Sequence, residues 1–199
     1  MSDHYFETEN IDRIKGIPER DLPIFVYCDG GSLFGWLIRK IDKSKASHLQ
    51  ALAWIEGRIQ IATQGLTFTT APVDHMAGYN CKLIYNPEWS EVERKVLTEA
   101  IKKRLALPWY KRFYDIPGVI GEAFNWDWLQ VGWLDFCSEA IARMLKLVDP
   151  DFSDWLKSNP SPTPREFNLW TKAHNPPYEV YGRYSPDDEE KHDDGTRER

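Results

Sequence analysis

Two residues in this chain have the type and setting for covalent chemistry, His48 and Cys137. Cys137-Ser138-Glu139 opens a segment in which Ala140, Ile141, Met144, Leu145 and Val148 recur at helical spacing, so the thiol falls in the first turn of a predicted helix. Unpaired N–H groups and the helix dipole favour negative charge there, which is the condition under which a thiol becomes a nucleophilic thiolate. Asp135 stands where an N-cap would. His48 follows Ser47 and begins the apolar segment Leu49 to Ile55, so its imidazole is expected at the mouth of a strand, where a general base can meet a helix N-terminus. The group that orients the imidazole is expected on the neighbouring strand, as Thr63 or Gln64, with Gln60 further back. Such a set would attack an amide or ester carbonyl, form an acyl-enzyme and hydrolyse it.

Each residue also has a plainer reading. Cys137 lies between Phe136 and an apolar helix face, where a cysteine serves as a small buried hydrophobe. Histidines at strand ends are commonly structural. Of the others, His4 and His192 fall in polar termini, His174 precedes Asn175-Pro176-Pro177, and His75 follows Asp74 in a loop and is the one competitor to His48. Gly30-Gly31 is not followed by the residues of a phosphate loop, and no histidine pair has the spacing of a zinc-binding helix.

The elements that must position these groups follow from the pattern. Leu22 to Tyr27 reads as a first strand, broken at Asp29-Gly30-Gly31. Ser32 caps an expected helix with Leu33, Trp36, Leu37 and Lys40 at helical spacing. Leu49, Ala51, Ala53 and Ile55 alternate, Glu56-Gly57 turns, and Arg58 to Thr63 returns, which predicts a β-hairpin. Leu66 to Thr70 and Lys82 to Tyr85 are further strands. Ser90-Glu91-Val92-Glu93 is a capping box, and Val92, Val96, Leu97, Ala100, Ile101 and Leu105 mark one face of the helix it starts. After Pro150 short helical segments are expected around Trp155 and over Phe167 to Trp170, interrupted by prolines.

The chain has 199 residues, 25 basic and 31 acidic, for a net charge of -6. That length suits one domain, expected over residues 21–180, with a polar segment 1–20 before it and a charged, disordered tail 181–199 after it. The charge balance offers no basic stripe for nucleic acid. The nine tryptophans lie among Leu, Ile and Phe, the company of a core or pocket lining. Cys28, Cys81 and Cys137 make neither an even disulfide framework nor a C-x-x-C pair. The N-terminus lacks the apolar region of a signal peptide and no apolar run spans a bilayer, so the expected location is cytoplasmic, with a virion-associated product equally compatible.

A histidine preceding the cysteine reverses the order of most papain-type sequences. Together with several blocks, it resembles the circularly permuted papain-fold amidases of the YiiX type, related to the NlpC-type cell-wall peptidases and the lecithin retinol acyltransferases. Ser32 to Arg39 followed by Ala46-Ser47-His48 resembles that family's helix and the "SH" start of its strand. Ala62 to Leu66 with Ala71-Pro72-Val73 resembles the strand that ends in the third residue, and Leu107 to Tyr110 the segment closing the central helix. Phe136-Cys137-Ser138-Glu139 resembles "YCSE". The resemblance spans about Leu22 to Leu147.

It implies an α+β, permuted papain-like (NlpC-type) fold, an antiparallel sheet packed on the helix that carries the nucleophile. It also implies Cys137 as nucleophile, His48 as base and Thr63 as third residue, at a position where the family commonly has Glu. The expected substrate is a cell-wall peptide, an isopeptide or a lipid acyl group, with no metal or organic cofactor required. An acyltransferase would differ only in its acceptor, with Trp109, Tyr110, Phe113, Trp126 and Trp128 lining an acyl groove. A catalytically weak binding module on the same fold is the alternative, motivated by the missing carboxylate. Oligomeric state has no signature in the sequence.

Overall fold

The computed structural model describes residues 6–7, 11–28, 48–64, 67–77, 80–113, 137–174 and 178–180. Strand β1 (Phe6–Glu7) is followed by the short helix α1 (Ile11–Lys15), then β2 (Ile24–Cys28), β3 (His48–Ile55), β4 (Arg58–Gln64), β5 (Phe68–Pro72) and β6 (Asn80–Tyr85). The helices α2 (Glu91–Leu105), α3 (Cys137–Leu145), α4 (Pro150–Ser158) and α5 (Pro164–Ala173) and strand β7 (Glu179–Val180) complete the order. The strands form one antiparallel sheet in the order β1-β6-β2-β3-β4-β5, with β7 also paired to β6. This is an α+β architecture. The predicted helix at Ser32, the segment from Tyr114 to Phe136 and the tail beyond Val180 lie outside the described residues.

The expected hairpin is present, with Ile55 paired to Arg58 across Glu56-Gly57. Both turn residues have positive φ, 53° and 76°, the condition for a tight turn whose twist matches the strands. At Gly57 the reason is conformational, since a Cβ there would meet nothing within 4 Å.

Both faces of the sheet are covered. Phe25, Tyr27, Leu49, Ala51, Ala53, Ala62 and Phe68 point to one face and pack with Ile141 and Leu145 of α3, Leu97 and Ile101 of α2, and Phe152, Phe167 and Trp170. Ile24, Val26, Cys28, Leu52, Ile61, Cys81 and Leu83 point to the other, where Ile14, Ile17, Val73 and Met76 cover them. The alanines of β3 and β4 let α3 lie close on those strands. Because Ile14 and Ile17 are buried there, packed structure begins N-terminal to residue 21, ahead of the boundary drawn from polarity.

The capping box at the start of α2 is formed: Ser90 Oγ accepts from the Glu93 amide and Glu93 accepts from the Ser90 amide. Its apolar face is narrower than the periodicity implies. Leu97 and Ile101 are buried, whereas Val92 is 71% exposed. Arg94 ties the helix start to the preceding turns by donating to the carbonyls of Asp21, Asn86 and Trp89. The segments expected around Trp155 and Trp170 are full helices, because Pro150 and Pro164 occupy the first turns, where a missing N–H costs nothing.

Their aromatic residues pack edge to face. The ring of Phe152 lies 4.7 Å from Trp170 and 5.3 Å from Phe167, and Trp170 lies 5.1 Å from Tyr178. The Tyr178 hydroxyl donates to Asp149, which also caps α4 by accepting from the Phe152 amide. Burial, then the bond and charge of Asp149, hold the Tyr178 hydroxyl well above the ordinary tyrosine range. A group with a raised folded-state pKa contributes stability below its unfolded pKa and loses it as pH rises beyond that value. Unfolding midpoints are therefore expected to fall from about pH 10 upward, the ordinary tyrosine value. Tyr178→Phe should flatten that decline, measured by urea titration on either side of pH 10; an unchanged slope would reject the assignment.

Candidate active site

Cys137 is the first residue of α3, as the pattern predicts, and is 2% exposed. Ser138 and Glu139 are buried beside it, so the whole first turn is enclosed. A buried carboxylate in a helix's first turn is favoured by the local N–H groups. Glu139 thus shares the enclosed turn with the thiol, one of two polar residues that the sequence places beside it. Asp135, the expected cap, lies outside the described residues.

His48 is the first residue of β3, and α3 packs across β3 and β4. The register refines the relation between the two. His48 pairs with Cys28, and Cys28 with Cys81 on the next strand. Residues directly opposite in an antiparallel ladder share a face. Cys28 and Cys81 belong to the face away from α3, as does Leu52, whereas Leu49, Ala51 and Ala53 meet α3. Alternation therefore assigns His48 to the face away from Cys137. His48 is also the terminal residue of its strand, so its ring is the one on β3 with the sheet's end beside it. Its Nδ1 is closed off from solvent.

The register locates two of the candidates for the third position, Thr63 and Gln60. Ala51 faces Ala62, and one further step sets Thr63 across from Gln50. Thr63 is buried, on the face of Ile61 and His48. Gln60 is committed elsewhere, donating from Nε2 to the Ile55 carbonyl at 3.1 Å.

Gln50 is a polar residue of this region that the sequence reading passed over. It is buried, and its Nε2 donates to Cys28 Sγ at 3.1 Å. Its signal was available: strict alternation from His48 groups His48, Gln50, Leu52 and Trp54 against Leu49, Ala51, Ala53 and Ile55.

The competing histidine, His75, is exposed in a short 3-10 helix over Val73–Met76. His174 stacks on Trp170 with centroids 4.1 Å apart, and its Nδ1 lies 2.9 Å from the Trp170 carbonyl. Of the proposed acyl groove, Trp109 and Tyr110 are exposed and Phe113 packs on Trp109 at 5.3 Å. Trp126 and Trp128 lie outside the described residues. Among the described residues no helix is long and apolar enough to cross a membrane.

No protein-family model matches the chain, and no curated protein matches it significantly. Among solved structures, the fold is similar to that of the metalloprotein YiiX from Escherichia coli O157:H7, with a TM-score of 0.55 and 11% identity. The similarity covers 85% of this chain and 100% of that one. Among the described residues, no group of three or more His, Cys, Asp or Glu side chains is placed to hold a metal ion. The chain has a YiiX-like α+β fold.

Proposed function

We propose that this protein is a cysteine-dependent hydrolase of permuted papain-like, NlpC-type fold, acting on an amide or ester bond of a cell-wall peptide, an isopeptide or a lipid acyl group. Cys137 attacks the carbonyl, His48 takes the thiol proton and later activates water, and Thr63 orients the imidazole. The Cys137 amide, in the first turn of α3, donates to the oxyanion. The observation that carries this reading is that a cysteine heads a helix packed against the strand that His48 begins. The mechanism requires the Cys137 sulfur and the His48 ring to meet around the end of β3, with Thr63 on the histidine's face.

Iodoacetamide at neutral pH tests it. Cys137 is expected to alkylate at least about tenfold faster than Cys28 or Cys81, with the rate falling by a similar factor in His48→Ala. Equal, slow labelling of the three thiols would instead favour a binding module on the same fold. That second reading is favoured by the alternation of His48 to the far face and by a threonine where the family resemblance calls for a carboxylate.

A further inference from the structure

We infer that Cys28 and Cys81 form a redox couple that a peroxide closes to a cross-strand disulfide. The two cysteines are directly opposite on neighbouring antiparallel strands, β2 and β6. Neither is in a disulfide, and both are completely buried on the same face of the sheet. Opposed residues in such a ladder have Cα atoms about 4.5–5.5 Å apart. A disulfide spans about 4.4–6.8 Å, so the backbone already has the spacing the bond needs. Cys137 heads a helix packed on the opposite face, with the sheet between, and cannot compete for either sulfur.

The pair is also chemically unequal. Gln50 reaches across from β3 and donates its amide N–H to Cys28 Sγ at 3.1 Å. An N–H aimed at sulfur holds the negative charge that develops there, and on that contact Cys28 is assigned the first attack. The Cys28 thiolate attacks one oxygen of hydrogen peroxide, forming an S–O bond as the O–O bond breaks; the other oxygen leaves as hydroxide and takes up the proton that the Cys28 thiol gave up, so one water forms. Cys81 then attacks the sulfenic sulfur. The S–S bond forms, the S–O bond breaks, and the departing hydroxide takes the Cys81 proton as a second water. Two thiols are oxidised by two electrons and one peroxide is reduced.

Access requires local opening at the strand ends, since both sulfurs are buried. Cys28 is the last residue of β2 and Cys81 the second of β6, where ladder hydrogen bonds open at the lowest free-energy cost. The couple is independent of the hydrolase proposal, which uses a different sulfur.

The test uses the full-length protein exposed to hydrogen peroxide, then denatured, alkylated with iodoacetamide and digested with trypsin. Lys and Arg positions place the three cysteines on separate tryptic peptides. The expected product is the Cys28 peptide joined to the Cys81 peptide, released by dithiothreitol, with Cys137 absent from any link. Gln50→Leu should slow its formation about tenfold, as loss of one charge-assisted hydrogen bond implies. In Cys81→Ser, Cys28 should stop as a sulfenic acid that dimedone traps. Full alkylation of Cys28 and Cys81 after peroxide, or a link that includes Cys137, overturns the inference. The wild-type peptide map decides it even if a variant fails to fold.

Discussion

Cys137→Ala should abolish turnover of an activated ester such as p-nitrophenyl acetate, by at least about 10³-fold in kcat/KM, with the unfolding midpoint shifted little. Loss of a covalent nucleophile removes the acyl-enzyme route entirely and leaves only what oxyanion donors and binding provide. Removing one sulfur from a helix start costs little packing, so activity and stability separate. His48→Ala should fall nearly as far, because residues of one catalytic unit fail together. Thr63→Ala should cost less, about tenfold or under, since a hydroxyl can direct an imidazole but adds no charge to stabilise it. The decisive control is Cys28→Ala, because Cys28 is the cysteine in register with His48. If that variant is dead and Cys137→Ala is active, the nucleophile sits on the other face of the sheet.

Phe167→Ala is expected to produce the largest loss of stability, about 3–5 kcal/mol. Phe167 is wholly buried, and its ring contacts Phe25 and Tyr27 of β2 and Phe152 of α4. It therefore joins the sheet to the C-terminal helices. Removing it opens a cavity between elements that cannot slide together independently. A domain of this size has about 5–15 kcal/mol in total, so the variant should unfold at a much lower urea concentration. Val92→Ala, on the same criterion, should change stability by less than about 0.5 kcal/mol, because that side chain is largely in solvent. Similar midpoints for the two variants would mean that the C-terminal helices are not integral to the domain.

Some features were legible because their causes are local. Alternation over Leu49 to Ile55 and the Glu56-Gly57 turn fixed the hairpin, and Ser90 with Glu93 fixed the start of α2. Cys137 at a helix start was read from spacing and is where the chain puts it. Other features depend on what arrives from far away. Val92 and Val96 repeat with Leu97 and Ile101, but of these four only Leu97 and Ile101 are buried. The N-terminal stretch looks polar, yet Ile14 and Ile17 suffice to cover part of the second sheet face.

By itself the sequence determined the α+β element types, the thiol at the head of a helix and the histidine at the head of a strand, since periodicity, caps and turns act over a few residues. Tertiary structure alone decided the strand order and register. It thereby paired His48 with Cys28 and Cys28 with Cys81, put Thr63 on the face of His48, and laid α3 across the opposite face. The physical reason is that the faces of a strand are fixed by its alternation, but which element covers each face is settled only when the whole sheet closes over its core.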